Sequence, residues 1–231
     1  MLLYVNMALE YYELNIGDPK AAQLARDLRE AHGDVPLPIQ NGSSPKPAEI
    51  KRFSDEAVEA LLKRDFVIHD LNGESIASLR GAGRRFWSTW HRDYPEFEAK
   101  TSRLTQVAIN PDPERFFLPE SNRKTLKQQE EMIAKFSKEL ASGKNRIKGV
   151  VAIMGEMPDY VELAFRHLDA TQKYLFGPDY DYNYARTKTL SVGSDVANVG
   201  YFDPDHGLSI GYWHRGKGYD NVWAVPLVVP A

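Results

Sequence analysis

A chain of 231 residues can form one large domain or two small ones and can bury a real apolar core. With 42% hydrophobic and 26% charged residues it has the composition of a soluble globular protein, and a net charge of −3 argues against nucleic-acid binding through a broad basic face. Cysteine is absent, which excludes disulfides and thiolate chemistry and leaves any metal to His, Asp or Glu.

The opening run MLLYVNMALEYYEL is apolar, but it carries Asn6 and Glu10 and has neither a basic leading segment nor a small-residue cleavage site. No stretch approaches the roughly 18 uncharged apolar residues of a membrane span. The expectation is a soluble, cytoplasmic protein with no membrane and no nucleic-acid partner. Asp18-Pro19 predicts a helix start, Leu24, Ala25, Leu28 and Ala31 recur at helical spacing, and Gly33 closes the segment. Residues 34–48 hold four prolines around Asn-Gly-Ser-Ser and read as a linker. Residues 1–33 are therefore expected to be a helical appendage, and 49–231 the main domain.

Beyond the linker, Ser54 is predicted to cap a short helix with Ala57, Val58, Leu61 and Leu62 on one side. Residues 65–71 predict a strand. Residues 74–91 predict a helix with Ile76, Leu79, Ala82, Phe86, Trp87 and Trp90 near one stripe. Within it Gly81-Ala82-Gly83 reads as close helix packing, Trp87 and Trp90 as core, and Arg84, Arg85 and Arg92 as a solvated face. Residues 104–109 suggest a strand. Residues 124–141 form a charged helix ending at Gly143, with Met132, Ile133, Phe136 and Leu140 as its buried edge. Pro158 and Asp159 start a further helix that runs to Gly177. β-like runs follow at 187–192, 196–202, 207–213 and 221–229. Helices come first and strands after, so the fold class is α+β: helical support over 49–177, then a β region over 178–231.

Three constellations could carry chemistry. His167-Leu168-Asp169 has the spacing of a metal pair on a strand, but in a helix two residues subtend about 200° and point apart, which predicts a helix-surface pair. Asp179, Asp181 and Asn183 mimic the first ligands of a calcium loop. Tyr184 stands where that loop needs Gly, and Leu190 where it needs Glu, so an aromatic turn is expected. The stretch YFDPDHGLSIGYW, residues 201–213, offers Asp203, Asp205 and His206 as ligands for Fe(II), Mn(II) or Mg(II). In an extended chain the two aspartates share one face and His206 the other, while Pro204 argues for an edge, bulge or turn. The alternative is a polar turn feeding a half-buried strand. A facial triad would need a further distant histidine, and His214 is the only later one. No phosphate loop, Gly-x-Ser-x-Gly elbow or kinase signature is present.

The order of these pieces resembles the isopenicillin N synthase-like 2-oxoglutarate/Fe(II) oxygenases. FSDEAVEALLKRDFVIHDLNGESIASLRGAGRRFW is similar to their N-terminal region, MPDYVELAFRHLDATQKYLFG to the long helix before their catalytic barrel, and GYFDPDHGLSIGYW to their His-x-Asp and following strand. The resemblance implies a partial double-stranded β-helix, or jelly roll, with Fe(II) and 2-oxoglutarate as cofactors and dioxygenase chemistry on a small molecule. It places Asp205 near the metal-ligand aspartate and Asp203 where the first histidine belongs. The family's distal histidine and Arg-x-Ser lie further downstream than Pro-Leu-Val-Val-Pro-Ala, and four or five predicted strands fall short of the about eight that the barrel needs. The implied protein is an incomplete or inactive oxidoreductase. The alternatives are a non-enzymatic module that takes a protein partner on an open sheet edge, or an unrelated α+β protein with the same element order.

Overall fold

Ser54 accepts a hydrogen bond from the Ala57 amide and starts helix α1 (Asp55–Leu62), as its cap pattern predicts. Ala57 and Leu61 are buried, whereas Leu62 is 56% exposed and lies off the predicted apolar side. The computed structural model describes residues 51–87, 95–144, 146–191 and 193–231. The predicted appendage over 1–33 and the linker over 34–48 lie outside the described residues. Strand β1 (Val67–Asp70) follows, then helix α2 (Ile76–Gly81), capped reciprocally by Ser75 and Ser78.

Here the structure departs from the predicted helix over 74–91. Gly83 has φ of +85°, and nothing lies within 4 Å of a Cβ placed on Gly81 or Gly83. The glycines end the helix rather than admit a close neighbour. Next come α3 (Pro95–Glu98), β2 (Gln106–Ile109), α4 (Pro113–Phe116) and α5 (Leu126–Leu140), the last opened by a Thr125/Gln128 capping box. Strand β3 (Val150–Ile153) was not anticipated. Helix α6 (Met157–Thr171) starts where Pro158 predicts, but it ends in left-handed Gln172, short of Gly177. Strands β4 (Tyr184–Leu190), β5 (Asp195–Asp203), β6 (Gly207–His214), β7 (Val222–Trp223) and β8 (Leu227–Pro230) complete the set.

Among the described residues these strands form two four-stranded sheets. One is antiparallel throughout, in the order β1-β2-β8-β3, and the other is a curled mixed sheet, β6-β5-β4-β7, in which β7 runs parallel to β4. The architecture is α+β, with three strands among the helices that precede residue 177. Strand β8 lies inside its sheet, and its unbroken apolar run has a simple cause. Leu227 and Val229 enter one core cluster and Val228 the other, so both faces of the strand are buried.

Helix α6 binds the two sheets through the larger cluster. Its Met157, Tyr160 and Ala164 belong to the same cluster as Val107 and Ile109 of the antiparallel sheet and Ala197, Val199 and Ile210 of the curled one. Each such fully buried large side chain contributes roughly 1.5–3 kcal/mol. The opposite face of the antiparallel sheet, at Ala108, Ala152 and Val228, is covered by α1 and by Ile133 and Leu140 of α5. Within α6, Glu162 is fully buried. Its carboxylate accepts the backbone amides of Asn72, Gly73 and Glu74 and pairs with Arg166, which also reaches Glu74. The loop between β1 and α2 is thereby fixed to the helix. No helix among the described residues is long and apolar enough to cross a membrane.

Candidate functional site

The turn between β5 and β6 carries the residues that the sequence singled out. Asp203 is the last residue of β5, and its Oδ1 accepts the backbone amides of Asp205 at 2.9 Å and His206 at 2.7 Å. This is the local side-chain-to-backbone closure that aspartate favours in turns. The His206 ring lies alongside, its Nδ1 3.1 Å from both carboxylate oxygens. Since a carboxylate only accepts, that nitrogen carries the proton. Burial pushes the Asp203 carboxyl upward, but the amide and ring of His206 and the Asp205 amide outweigh it and hold the group below its ordinary value. The structure therefore joins Asp203 to His206. Asp205 adds its amide, and its side chain is exposed. Among the described residues no three His, Asp or Glu side chains form a group that could hold a metal ion, and a facial triad needs three.

The turn rests on a segment that sequence periodicity assigned to a helix. Residues 85–87 run beside β6: Leu208 donates to the Arg85 carbonyl and Trp87 to the Leu208 carbonyl, each at 3.0 Å. Arg85 also reaches the Pro204 carbonyl at 3.2 Å. This contact needs Gly207, which has φ of +89° and where a Cβ would stand 2.2 Å from the Arg85 carbonyl oxygen. Gly207→Ala should lower stability by about 2–3 kcal/mol. It should also expose the Leu208 and Trp87 amides to hydrogen exchange; unchanged protection would show that residues 85–87 do not depend on this close approach.

Above the turn the aromatic rings form a ladder. Tyr182 stacks on Tyr201 at 4.5 Å, Tyr201 meets Trp87 at a tilt of 49° with centroids 4.5 Å apart, and Trp87 meets His206 at a tilt of 36° with centroids 4.7 Å apart. Trp87, expected in the core, is 44% exposed because the helix that would have buried it has already ended. Tyr201 has φ of +50° and sits where the β5–β6 register shifts between Gly200 and Phe202. Such a conformation is strained for a tyrosine, and strain of this kind concentrates at functional sites.

The curled sheet has a second polar row beside it. Arg186 on β4 pairs in register with Asn198 on β5, and both are fully buried. The Arg186 guanidinium meets the carbonyls of Lys217 at 3.1 Å and of His214 and Lys124 at 3.5 Å, and lies over the Tyr219 ring. Burial pulls its pKa down to about 10. Among the described residues its Nε and the Asn198 Oδ1 have no partner, so the row keeps one buried donor and one buried acceptor there. Two rings cover the glycines of this face. Tyr184 lies against Gly200 and hydrogen-bonds Ser209, and Trp213 lies against Gly211.

The other candidates resolve differently. His167 does not lie on the helix surface: it is buried, with Nδ1 3.2 Å from Nε2 of His69, while Asp169 turns outward to Arg84. Burial lowers both imidazoles to about 4. The calcium-like stretch forms a 3-10 turn (Pro178–Tyr180) followed by left-handed Asp181 and Tyr182. His214 accepts the Gly216 amide on its Nδ1. Arg84 lies over Phe165 as well as pairing with Asp169, and is less solvated than expected. Sequence reasoning missed Tyr201 and Arg186; only the Gly200 before Tyr201 hinted at a bulge there. No family model, curated protein or solved structure matches this chain.

Proposed function

We propose that the chain is an oxygenase-type half-barrel without a working iron centre, related to the isopenicillin N synthase-like enzymes and serving to bind a small molecule rather than to turn it over. The element order supports the relationship: α1, β1 and α2 first, the long α6 next, then the curled sheet with an acidic turn between β5 and β6. In this reading the curled sheet is part of a double-stranded β-helix.

The observation that carries the loss of iron is the use of Asp203. Its carboxylate already accepts two turn amides and the His206 ring. If Asp203, at the end of β5, stands for the aspartate of His-x-Asp, Tyr201 takes the histidine's place, two residues earlier than the sequence register had put it. A phenol held between Tyr182 and Trp87 is a poor replacement for a neutral imidazole ligand. This donor set does not fit Fe(II), and no step through iron or 2-oxoglutarate is derived from it.

The full chain supplied with Fe(II), ascorbate and 2-oxoglutarate should form no succinate above a metal-free blank. Stoichiometric succinate would overturn the proposal. The open-edge alternative has less support, because residues 85–87 already occupy the start of the β6 edge.

A further inference from the structure

The apolar arc of α5 is wider than the sheet beneath it. Ile133 and Leu140 are buried in the second core cluster, whereas Met132 and Phe136, on the adjoining stripe, only pack against its margin. With Phe66 after α1 and Leu118 after α4, that partly buried stripe walls a groove of about 520 Å³. The size and the mainly apolar wall are those of a small-molecule pocket, for which volumes of about 300–1,000 Å³ are usual. A methionine in its wall can adapt to a flexible chain.

Charge at the mouth selects the head group. Arg64, Arg115 and Lys135 line it together with Glu114 and Glu139. Arg115 is engaged by Asp65 and Asp112, and Lys135 lies within reach of Glu139. Arg64 is half-buried, and among the described residues its guanidinium has no ion pair. A half-buried cation beside an apolar slot favours a ligand that brings its own anion. We propose that this groove binds an amphiphilic carboxylate, with the tail along Met132, Phe136 and Leu140 and the head on Arg64. The proposal rests on the far side of the antiparallel sheet from the β5–β6 turn and does not depend on the iron question.

Decanoate titrated calorimetrically into the full chain, below its micelle concentration, should bind at a single site. Decanol, which offers the same tail without the charge, should bind about tenfold more weakly, the scale of one charge-assisted hydrogen bond. Arg64→Gln should bring decanoate down to the level of decanol, and Arg64→Lys should recover most of the difference. Met132→Trp, which fills the slot, should abolish binding of both. Circular dichroism melting of each variant separates a lost site from a lost fold. Absence of decanoate binding, equal binding of decanol, or an unaffected Met132→Trp variant would each overturn the proposal.

Discussion

Acidifying the protein from pH 7 to pH 4.5 should remove several kcal/mol of folding stability, and most of that loss should vanish when His69 and His167 are both replaced by phenylalanine. The two rings are buried, hydrogen-bonded at 3.2 Å and set edge to face, with centroids 5.2 Å apart. Burial is the main cause that brings each to about 4, from an ordinary 6.5. Between those values the unfolded chain binds more protons than the folded one. Stability is therefore full above pH 6.5 and falls as the pH drops towards 4. At about 1.4 kcal/mol per tenfold change in proton affinity, each ring accounts for roughly 2–3 kcal/mol at pH 4.5.

Phenylalanine at both positions keeps an edge-to-face pair and leaves no orphaned donor or acceptor, so the double variant should fold at pH 7. Urea melts of both proteins at pH 7 and 4.5 make the comparison. If the double variant loses as much stability on acidification as the parent, the histidine pair is not the acid-sensitive element.

The second large effect lies earlier on the same helix, α6. Glu162→Ala should cost about 3–5 kcal/mol, the range for removing one partner of a buried charged network. It strands three loop amides and takes from Arg166 one of its two carboxylates, leaving Glu74. Hydrogen exchange at Asn72, Gly73 and Glu74 should accelerate well beyond the global change, because these amides lose their acceptor. Glu162→Gln keeps one carbonyl oxygen and should cost less. Parent-like protection of the three amides in the alanine variant would mean that the loop is held by something other than Glu162.

What could be read from sequence is what local chemistry decides. Ser54 named its helix, Pro158 placed the start of α6, and the acidic turn before Gly207 was visible between two β-like runs. Residues 85–87 escaped because Phe86 and Trp87 continue a helical period, while the two glycines before them end the helix and β6 offers a competing ladder. Strand β3 escaped as a short apolar run in which helix and strand are not distinguished by period. At the candidate site, the polar turn was one of the two readings kept open for Asp203. Nothing local announces that Tyr201 will take a left-handed conformation. Arg186 belies its residue type altogether: a charged side chain in Tyr-Ala-Arg-Thr-Lys reads as exposed, yet it is buried among main-chain carbonyls supplied by segments far away in sequence.

Strand β8 also has a bearing on how the chain reaches its fold. It follows every other strand among the described residues, yet it sits between β2 and β3, with Ala108 opposite Val228 and Ala152 opposite the same residue on the other side. During synthesis β2 and β3 therefore wait, each with an unsatisfied edge, until the strand that joins them has emerged. Closing so distant a pairing is slow, and until it closes the nascent chain offers two bare apolar edges to its neighbours.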